Sequence, residues 1–216
     1  MIQELLHPAI GLFFLDGLLV TLHIAVSSIV LSLIFGTVLG VAQYSQSPLY
    51  SRMATFYIDT VRNIPLLLFI LVARFTTGLP PVHSGIFAMT VFTSAVIAEI
   101  IRGGLNSVHR GQWEAARSQG LSYYQTLRHI VLPQAFRNVI PPLLSQFTTV
   151  IKDTSFVWAV GVEELTGRGM IIMGKYGSTS QVFAIFGAIA ATYFVVNYLL
   201  SLAARYQHGR LAARSY

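Results

Sequence analysis

Residues 17–43 read GLLVTLHIAVSSIVLSLIFGTVLGVAQ, 27 residues without one Asp, Glu, Lys or Arg. A helix that crosses a bilayer needs roughly 20 predominantly apolar residues, and a longer stretch spans with some tilt. This segment therefore reads as a membrane span. Four further windows satisfy the same requirement, at about 54–75, 85–103, 139–161 and 182–204. The second is the least apolar, and a polar, basic segment at about 104–138 separates the third from the fourth. The expectation is an all-α integral membrane protein, a single transmembrane domain over residues 1–216 with five spans.

Composition agrees. Of the 216 residues, 54% are hydrophobic and only 10% charged, with a mean hydropathy of +0.65. A soluble domain carries about 25% charged residues, so this chain has too few to coat a surface in water. Cysteine is absent, which excludes disulfides and thiolate metal sites. The six histidines, at 7, 23, 83, 109, 129 and 208, include no pair at helical ligand spacing, so no metal site is expected.

The net charge of +6 reflects topology rather than nucleic-acid binding. The basic residues lie in the gaps between apolar windows, as the positive-inside rule requires. With the N-terminus outside, the inner segments hold Arg52, Arg102, Arg110, Arg117, Arg128, Arg137, Arg205, Arg210 and Arg214, against Arg168 and Lys175 outside. The C-terminus is then cytoplasmic. Residues 1–16 carry Glu4 and Asp16 but no Lys or Arg, so no cleavable signal peptide is expected. Two small-residue pairs, Gly36/Gly40 and Gly187/Ala191, suit close helix approach, either within the chain or between subunits.

The segment Arg110–Pro133 reads RGQWEAARSQGLSYYQTLRHIVLP and predicts two short helices outside the membrane. Gln112 to Gln119 are good helix formers, and Gly120 suits a left-handed C-terminal cap. Ser122 can cap a second helix, with Gln125 completing a capping box. Pro133 places the end of that helix near Leu132, because the residue before proline disfavours helical geometry. Such a hairpin, held by two spans, is a rigid projection suited to transmitting force.

These residues carry a resemblance. Glu114-Ala115-Ala116, Gly120, Ile130 and Leu132-Pro133 resemble the EAA motif of ATP-binding-cassette importer permeases. Thr60 to Pro65 (TVRNIP), Ala98 to Gly104 (AEIIRGG), Gly111 to Ala116 (GQWEAA), Leu132 to Arg137 (LPQAFR) and Lys152 to Ser155 (KDTS) are similar to the polar amino-acid branch of that family. The likeness runs from about Gly17 to Ala204. It implies a type I importer permease fold with five spans and the N-terminus outside, in the cytoplasmic (inner) membrane of a bacterium. It also implies that Glu114, Ala115, Ala116, Gly120, Leu132 and Pro133 form the element that couples to the ATPase. The implied partners are two ATP-binding subunits, a second copy or a homologous permease, and an extracytoplasmic amino-acid-binding protein. The chain itself is no enzyme and binds no cofactor; ATP and Mg belong to the partner. The absence of a GxxxxGK[ST] pattern in the sequence agrees with that division.

Ionisable groups inside a bilayer are costly and usually face a cavity or a partner. Lys152, Asp153, Thr154 and Ser155 are the first candidates to line a translocation pathway, with Arg62, Asn63, Arg74 and Glu99 beside them. A zwitterionic amino acid needs both signs of charge, and this set supplies them. Asp59 with Arg62, or Glu99 with Arg102, are alternatively plain ion pairs along a helix. Arg74 departs from the family pattern, where an apolar or aromatic residue is usual; it either attracts a carboxylate or snorkels to the headgroups. Arg74 and Lys152 favour glutamine or an acidic amino acid as substrate, with a basic one open. Arg168, Glu163 and Glu164 are read as outside loop charges that either steer a binding protein or are simply solvated.

Two other classes fit less well. An ion-coupled secondary transporter, with Glu99 and Asp153 as relay groups, would often show two related halves, and none is evident. A membrane enzyme would need a nucleophile or metal constellation, and the sequence offers none.

Overall fold

The computed structural model describes residues 7–45, 47–176 and 178–213, with side chains as far as residue 206 in the last helix. Among these, all regular structure is helical. The helices are α1 (Pro8–Tyr44), α2 (Pro48–Arg62), α3 (Leu66–Thr76), α4 (Pro81–Asn106), α5 (Arg110–Ser118), α6 (Tyr123–Thr126), α7 (Leu132–Asp153), α8 (Leu165–Lys175) and α9 (Thr179–Ala213). A π turn, Leu127–Val131, links α6 to α7, and a 3₁₀ segment, Thr154–Val160, follows α7. Arg210 and Arg214, two of the inner basic residues, lie beyond the described side chains, and Glu4 precedes the described residues.

Helices α1, α4 and α9 are each long and apolar enough to cross a membrane, and α2 with α3 qualifies as a fourth span when the broken pair is taken together. The expected second span is thus two helices rather than one. Pro65 is the cause: it disfavours helical geometry at Ile64, and it stands at the N-cap of α3. The Asn63 side-chain amide donates to the Asp59 carbonyl at 2.7 Å, satisfying one of the carbonyls orphaned at the end of α2. The fourth expected span also differs in extent. Its helix starts at Leu132 rather than near 139, contains Pro141 and Pro142, and gives way to 3₁₀ geometry at Thr154.

The chain divides into two compact units. The first comprises Met1–Val30, Ile64–Thr90 and Phe147–Leu202. Its core is built on Leu165, Ile172, Ile185 and Ile189, with Phe13, Phe14, Leu18 and Tyr193 packed around them. The second comprises Leu31–Asn63, Val91–Gln146 and Ala203–Tyr216. There Leu105, Val108, Val131 and Ala135 form a core that joins α4 to the hairpin and to the start of α7. Gly36 and Gly40 serve this second unit: a Cβ on either would come within 2.8 Å of α4, against the Ser94 or Ala98 carbonyl. The pair therefore packs α1 on α4 inside the chain. At Gly187 a Cβ would meet nothing within 4 Å, so the α9 pair is open.

Pro133 does not end a helix, contrary to the sequence expectation. Helical structure continues from α6 into α7 because the turn ahead of the proline widens into a π turn. The Leu132 N–H bonds the Leu127 carbonyl, five residues back. A proline in an α-helix removes one N–H and drives its ring against the carbonyl four residues earlier; a wider turn relieves the clash. The Gln134 side-chain amide donates to the Ile130 carbonyl at 2.9 Å, taking up an acceptor where the ladder is disturbed. The extra residue also sets the register. Thr126 and Val131 are both fully buried, five positions apart, whereas Val131, Ala135 and Val139 follow at α-helical spacing. Removal of the exposed His129 should restore a plain α-helix with the same buried face and so expose the cost of proline, roughly 3 kcal/mol. Thermal unfolding should show that loss, and Pro133→Ala in the deleted chain should recover most of it.

Candidate functional site

Three places bring the expected functional residues together, two in the second unit and one in the first. The hairpin α5–α6 belongs to the second unit. His109 caps α5, its Nδ1 accepting from Gly111 N–H at 3.1 Å. At the other end Gly120 is left-handed, with φ +79°. Its N–H bonds the Arg117 carbonyl at 2.9 Å and Leu121 N–H bonds the Ala116 carbonyl at 3.1 Å, the paired closure of a Schellman motif. The capping box then forms as expected: Gln125 N–H donates to Ser122 Oγ at 3.3 Å, and Ser122 N–H donates to Gln125 Oε1 at 2.9 Å. Trp113 stacks on Tyr123 with ring centroids 5.3 Å apart. Each end of this hairpin is tied by hydrogen bonds that its own sequence supplies.

The faces of the hairpin divide the expected docking residues. Glu114, Ala115 and Gly120 are exposed, while Ala116 is 2% exposed and packs inward. Leu132 packs on the second unit's core and Pro133 is exposed at the π turn. Glu114 meets only Arg110, at 3.4 Å and largely in solvent, a pair worth little to stability. Tyr124, 79% exposed at the tip, was not anticipated from the sequence. An aromatic side chain next to a polar run gives no signal of which way it faces.

The residues expected to line a pathway fall into two groups. In the second unit, Glu99 accepts from Arg102 Nε at 3.1 Å and from its Nη2, and Arg62 stands 3.9 Å away. The Glu99–Arg102 pair along one helix is realised, and Arg62 reaches across from α2 to the same carboxylate. Asn63 is spent on the Asp59 carbonyl. In the first unit, Arg74 closes α3 from its last turn, where a cation complements the helix dipole. Lys152 lines a recess of about 460 Å³ together with Thr148 of α7 and Tyr193, Asn197, Tyr198 and Ser201 of α9. Asp153 is half-buried beside it and Ser155 likewise. Thr154 is buried, its hydroxyl donating to the Ile151 carbonyl at 2.7 Å.

That recess departs from the expected one in its walls. None of the candidate residues named from the sequence lies on α9, yet α9 supplies most of the lining around Lys152. Its lining mixes the apolar Ala190 and Phe194 with hydroxyls, an amide and one ammonium group, and includes no carboxylate. Such a surface suits a carboxylate, which accepts several hydrogen bonds at once. The polar α9 positions were hidden in the sequence, since they are isolated within a strongly apolar helix.

Two of the three charges ahead of the last helix, Arg168 and Glu164, are packed into the first unit. Arg168 is only 15% exposed; it donates to the Phe13 carbonyl at 2.8 Å and to Asp16 Oδ2 at 3.2 Å, and its guanidinium stands over the Phe13 ring. Glu164 is fully buried at the N-cap of α8. Burial pushes its carboxyl upward, opposed by hydrogen bonds from the Thr166 and Gly167 amides and the Tyr193 and Thr21 hydroxyls. Glu163 alone of the three keeps a largely exposed side chain, 3.9 Å from Arg168.

Comparison with known proteins fits this geometry. Residues 11–213 match the family described as binding-protein-dependent transport system inner membrane component. The chain is 46% identical to the probable glutamine ABC transporter permease protein GlnP of Bacillus subtilis (strain 168), over 89% of this chain and 91% of that one. It is 32% identical to the glutamate/aspartate import permease protein GltK of Escherichia coli O157:H7, over 93% and 94%. A solved structure described as an amino acid ABC transporter with histidines superposes with a TM-score of 0.88 at 29% identity, covering 95% of this chain and 97% of that one. The helices therefore follow the type I importer permease fold, and the chain belongs to the family of binding-protein-dependent transport system inner membrane components.

Proposed function

We propose that this chain is the transmembrane permease of an ATP-driven importer for polar amino acids in a bacterial cytoplasmic membrane. The observation that carries the reading is the exposed hairpin, stiffened by a Schellman closure and a capping box and presenting Glu114, Ala115 and Gly120. A rigid element anchored on α4 and α7 moves the helices it is attached to when a partner moves it. Two ATP-binding subunits would grip the hairpins of two permease chains, and ATP with its Mg would stay on those subunits. Their closure need supply only about 5.5 kcal/mol to swing a two-state pathway from 1:99 to 99:1.

A second permease chain, identical or homologous, is supported by α9. Only 11% of its apolar window is buried within this chain, against 56% for α4, yet it carries Tyr193, Asn197 and Ser201 beside Lys152. Polar groups at membrane depth are costly against lipid, so this face is better served by another protein surface or a water-filled route. Five spans with the N-terminus outside place the hairpin in the cytoplasm, consistent with the nine-to-two arginine and lysine asymmetry in the sequence.

The recess suits the α-carboxylate that every amino acid carries; the cations Arg74 and Lys152 favour glutamine or an acidic amino acid, with a basic one open. Lys152 meets the carboxylate, Asp153, Thr154 and Ser155 extend the polar route, and Arg74 acts from α3. Arg62, Asn63 and Glu99, which belong to the second unit, are the remaining candidates for a polar route. An extracytoplasmic binding protein delivers the substrate. Proteoliposomes holding the permease, its ATPase and its binding protein should accumulate labelled glutamine or glutamate only with internal ATP. Accumulation driven by a proton or sodium gradient without ATP would support the secondary-transporter reading instead.

A further inference from the structure

One phenol gathers hydrogen bonds from several elements of the first unit. The Tyr193 hydroxyl donates to Glu164 Oε2 at 3.0 Å, lies 3.3 Å from Thr166 Oγ1 and interacts with the Thr154 hydroxyl. Its ring lines the recess that holds Lys152. Glu164 is itself held on both oxygens: Oε1 accepts from Gly167 N–H at 2.7 Å, and Oε2 from Thr166 N–H at 2.9 Å and the Thr21 hydroxyl at 3.2 Å. Thr21 Oγ in turn accepts from Leu165 N–H at 3.1 Å.

Capping α8 alone does not call for this residue. The preferred N-caps are Ser, Thr, Asp and Asn, whose short side chains reach back to the first free amides. Glutamate is longer, and here the extra length lets one carboxylate collect donors from α1 and α9 as well as from its own helix. A buried carboxylate with four donors is rigid, because each lost bond leaves a buried polar group unpaired. The next polar residue of the recess is tied to the same turn, since the Asn197 side-chain amide donates to the Tyr193 carbonyl at 2.8 Å.

We propose that Glu164 is a positioning residue for the translocation recess: by pinning the Tyr193 phenol it fixes the recess wall beside the Lys152–Ser155 motif. The loop that precedes α8 thereby sets whether the recess admits an amino acid. This rests on the reading of the recess as part of the substrate's route. Glu164 touches no substrate; it acts through Tyr193.

The cysteine-free chain allows a direct test. Ser201→Cys places a thiol in the recess of the full complex, reconstituted with its ATPase and binding protein. The rate of its modification by a charged methanethiosulfonate reagent is read with and without glutamine and glutamate. Glu164→Gln and Tyr193→Phe, each added to Ser201→Cys, should weaken substrate protection about tenfold, the loss expected when a hydrogen bond to a charged group goes. The double variant should be no worse than either single one, because both cut the same link. Thr21→Val, added to Ser201→Cys, removes a different donor from the same carboxylate and should lower thermal stability as Tyr193→Phe does while leaving protection intact, a split that a purely structural role would not give. If Glu164→Gln fails to assemble, Tyr193→Phe, which keeps the ring, decides. Full protection in Tyr193→Phe overturns the positioning role while leaving the recess intact. No protection in the parent, with Lys152→Gln also without effect on uptake, overturns the recess reading and this role with it.

Discussion

Gly40→Leu is expected to prevent accumulation of the folded chain, and Gly187→Leu to leave it untouched. A Cβ at position 40 would stand 2.7 Å from the Ala98 carbonyl oxygen and 3.0 Å from Ile101 Cβ. The first obstacle is backbone within α4, which moves only if the whole helix moves. Overpacking of this kind typically costs about 1–3 kcal/mol, and more where nothing can yield. At position 187 there is open space, so the added side chain costs this chain nothing. Size-exclusion profiles and thermal unfolding in detergent distinguish the two. If α9 faces a second permease chain, Gly187→Leu should instead lower the dimeric fraction while the monomer stays folded. Equal loss of folded protein in both variants would contradict the assignment of Gly36 and Gly40 to packing within the chain.

Lys152→Glu should reduce uptake at least tenfold with the complex fully assembled. Two unit charges 4 Å apart interact by about 4 kcal/mol at an effective dielectric constant of 20; the reversal turns attraction for a carboxylate into repulsion. Tenfold corresponds to only about 1.4 kcal/mol, so screening within an open recess still leaves a measurable loss. Lys152→Gln, which keeps a donor and drops the charge, should fall between. Unchanged uptake kinetics in Lys152→Glu would remove this residue from the route. The matching variant Arg74→Leu separates attraction from anchoring, since a lysine or arginine that only snorkels to headgroups affects insertion rather than uptake.

The parts of the fold legible in the sequence are those decided locally. The hairpin's Gly120 and its Ser122–Gln125 capping box form where their residue types place them, because caps depend on a handful of neighbouring atoms. Apolar length identified α1, α4 and α9 for the same reason. Features set by distant contacts were not legible. Pro133 reads as a terminator in isolation, but burial of Thr126 and Val131 on one face holds the helix together through a π turn. The resemblance implies a docking role for Ala116, and nothing in its local sequence signals that it packs against its own chain. Arg168 and Glu164 read as loop charges that either steer a binding protein or are simply solvated, and only the return of the α8 start onto α1 reveals their contacts with that helix. One local sign for Glu164 was present: an acidic residue immediately ahead of the stretch Leu165–Lys175 suits the positive end of a helix dipole. Tyr193 had no such sign, since an aromatic residue in an apolar helix is expected everywhere.

The exposed face of the hairpin is where an ATPase would drive this permease. Disulfide crosslinking from Ala115→Cys, in the otherwise cysteine-free chain, to thiols placed along the candidate ATPase tests it most directly. Ala115 is exposed and Ala116 buried, so Ala116→Cys serves as the internal control. The account predicts a specific crosslink from position 115 whose yield changes when ATP is added, and little or none from position 116. Absence of any crosslink from position 115, in a complex that co-purifies and crosslinks at neighbouring positions, would contradict it.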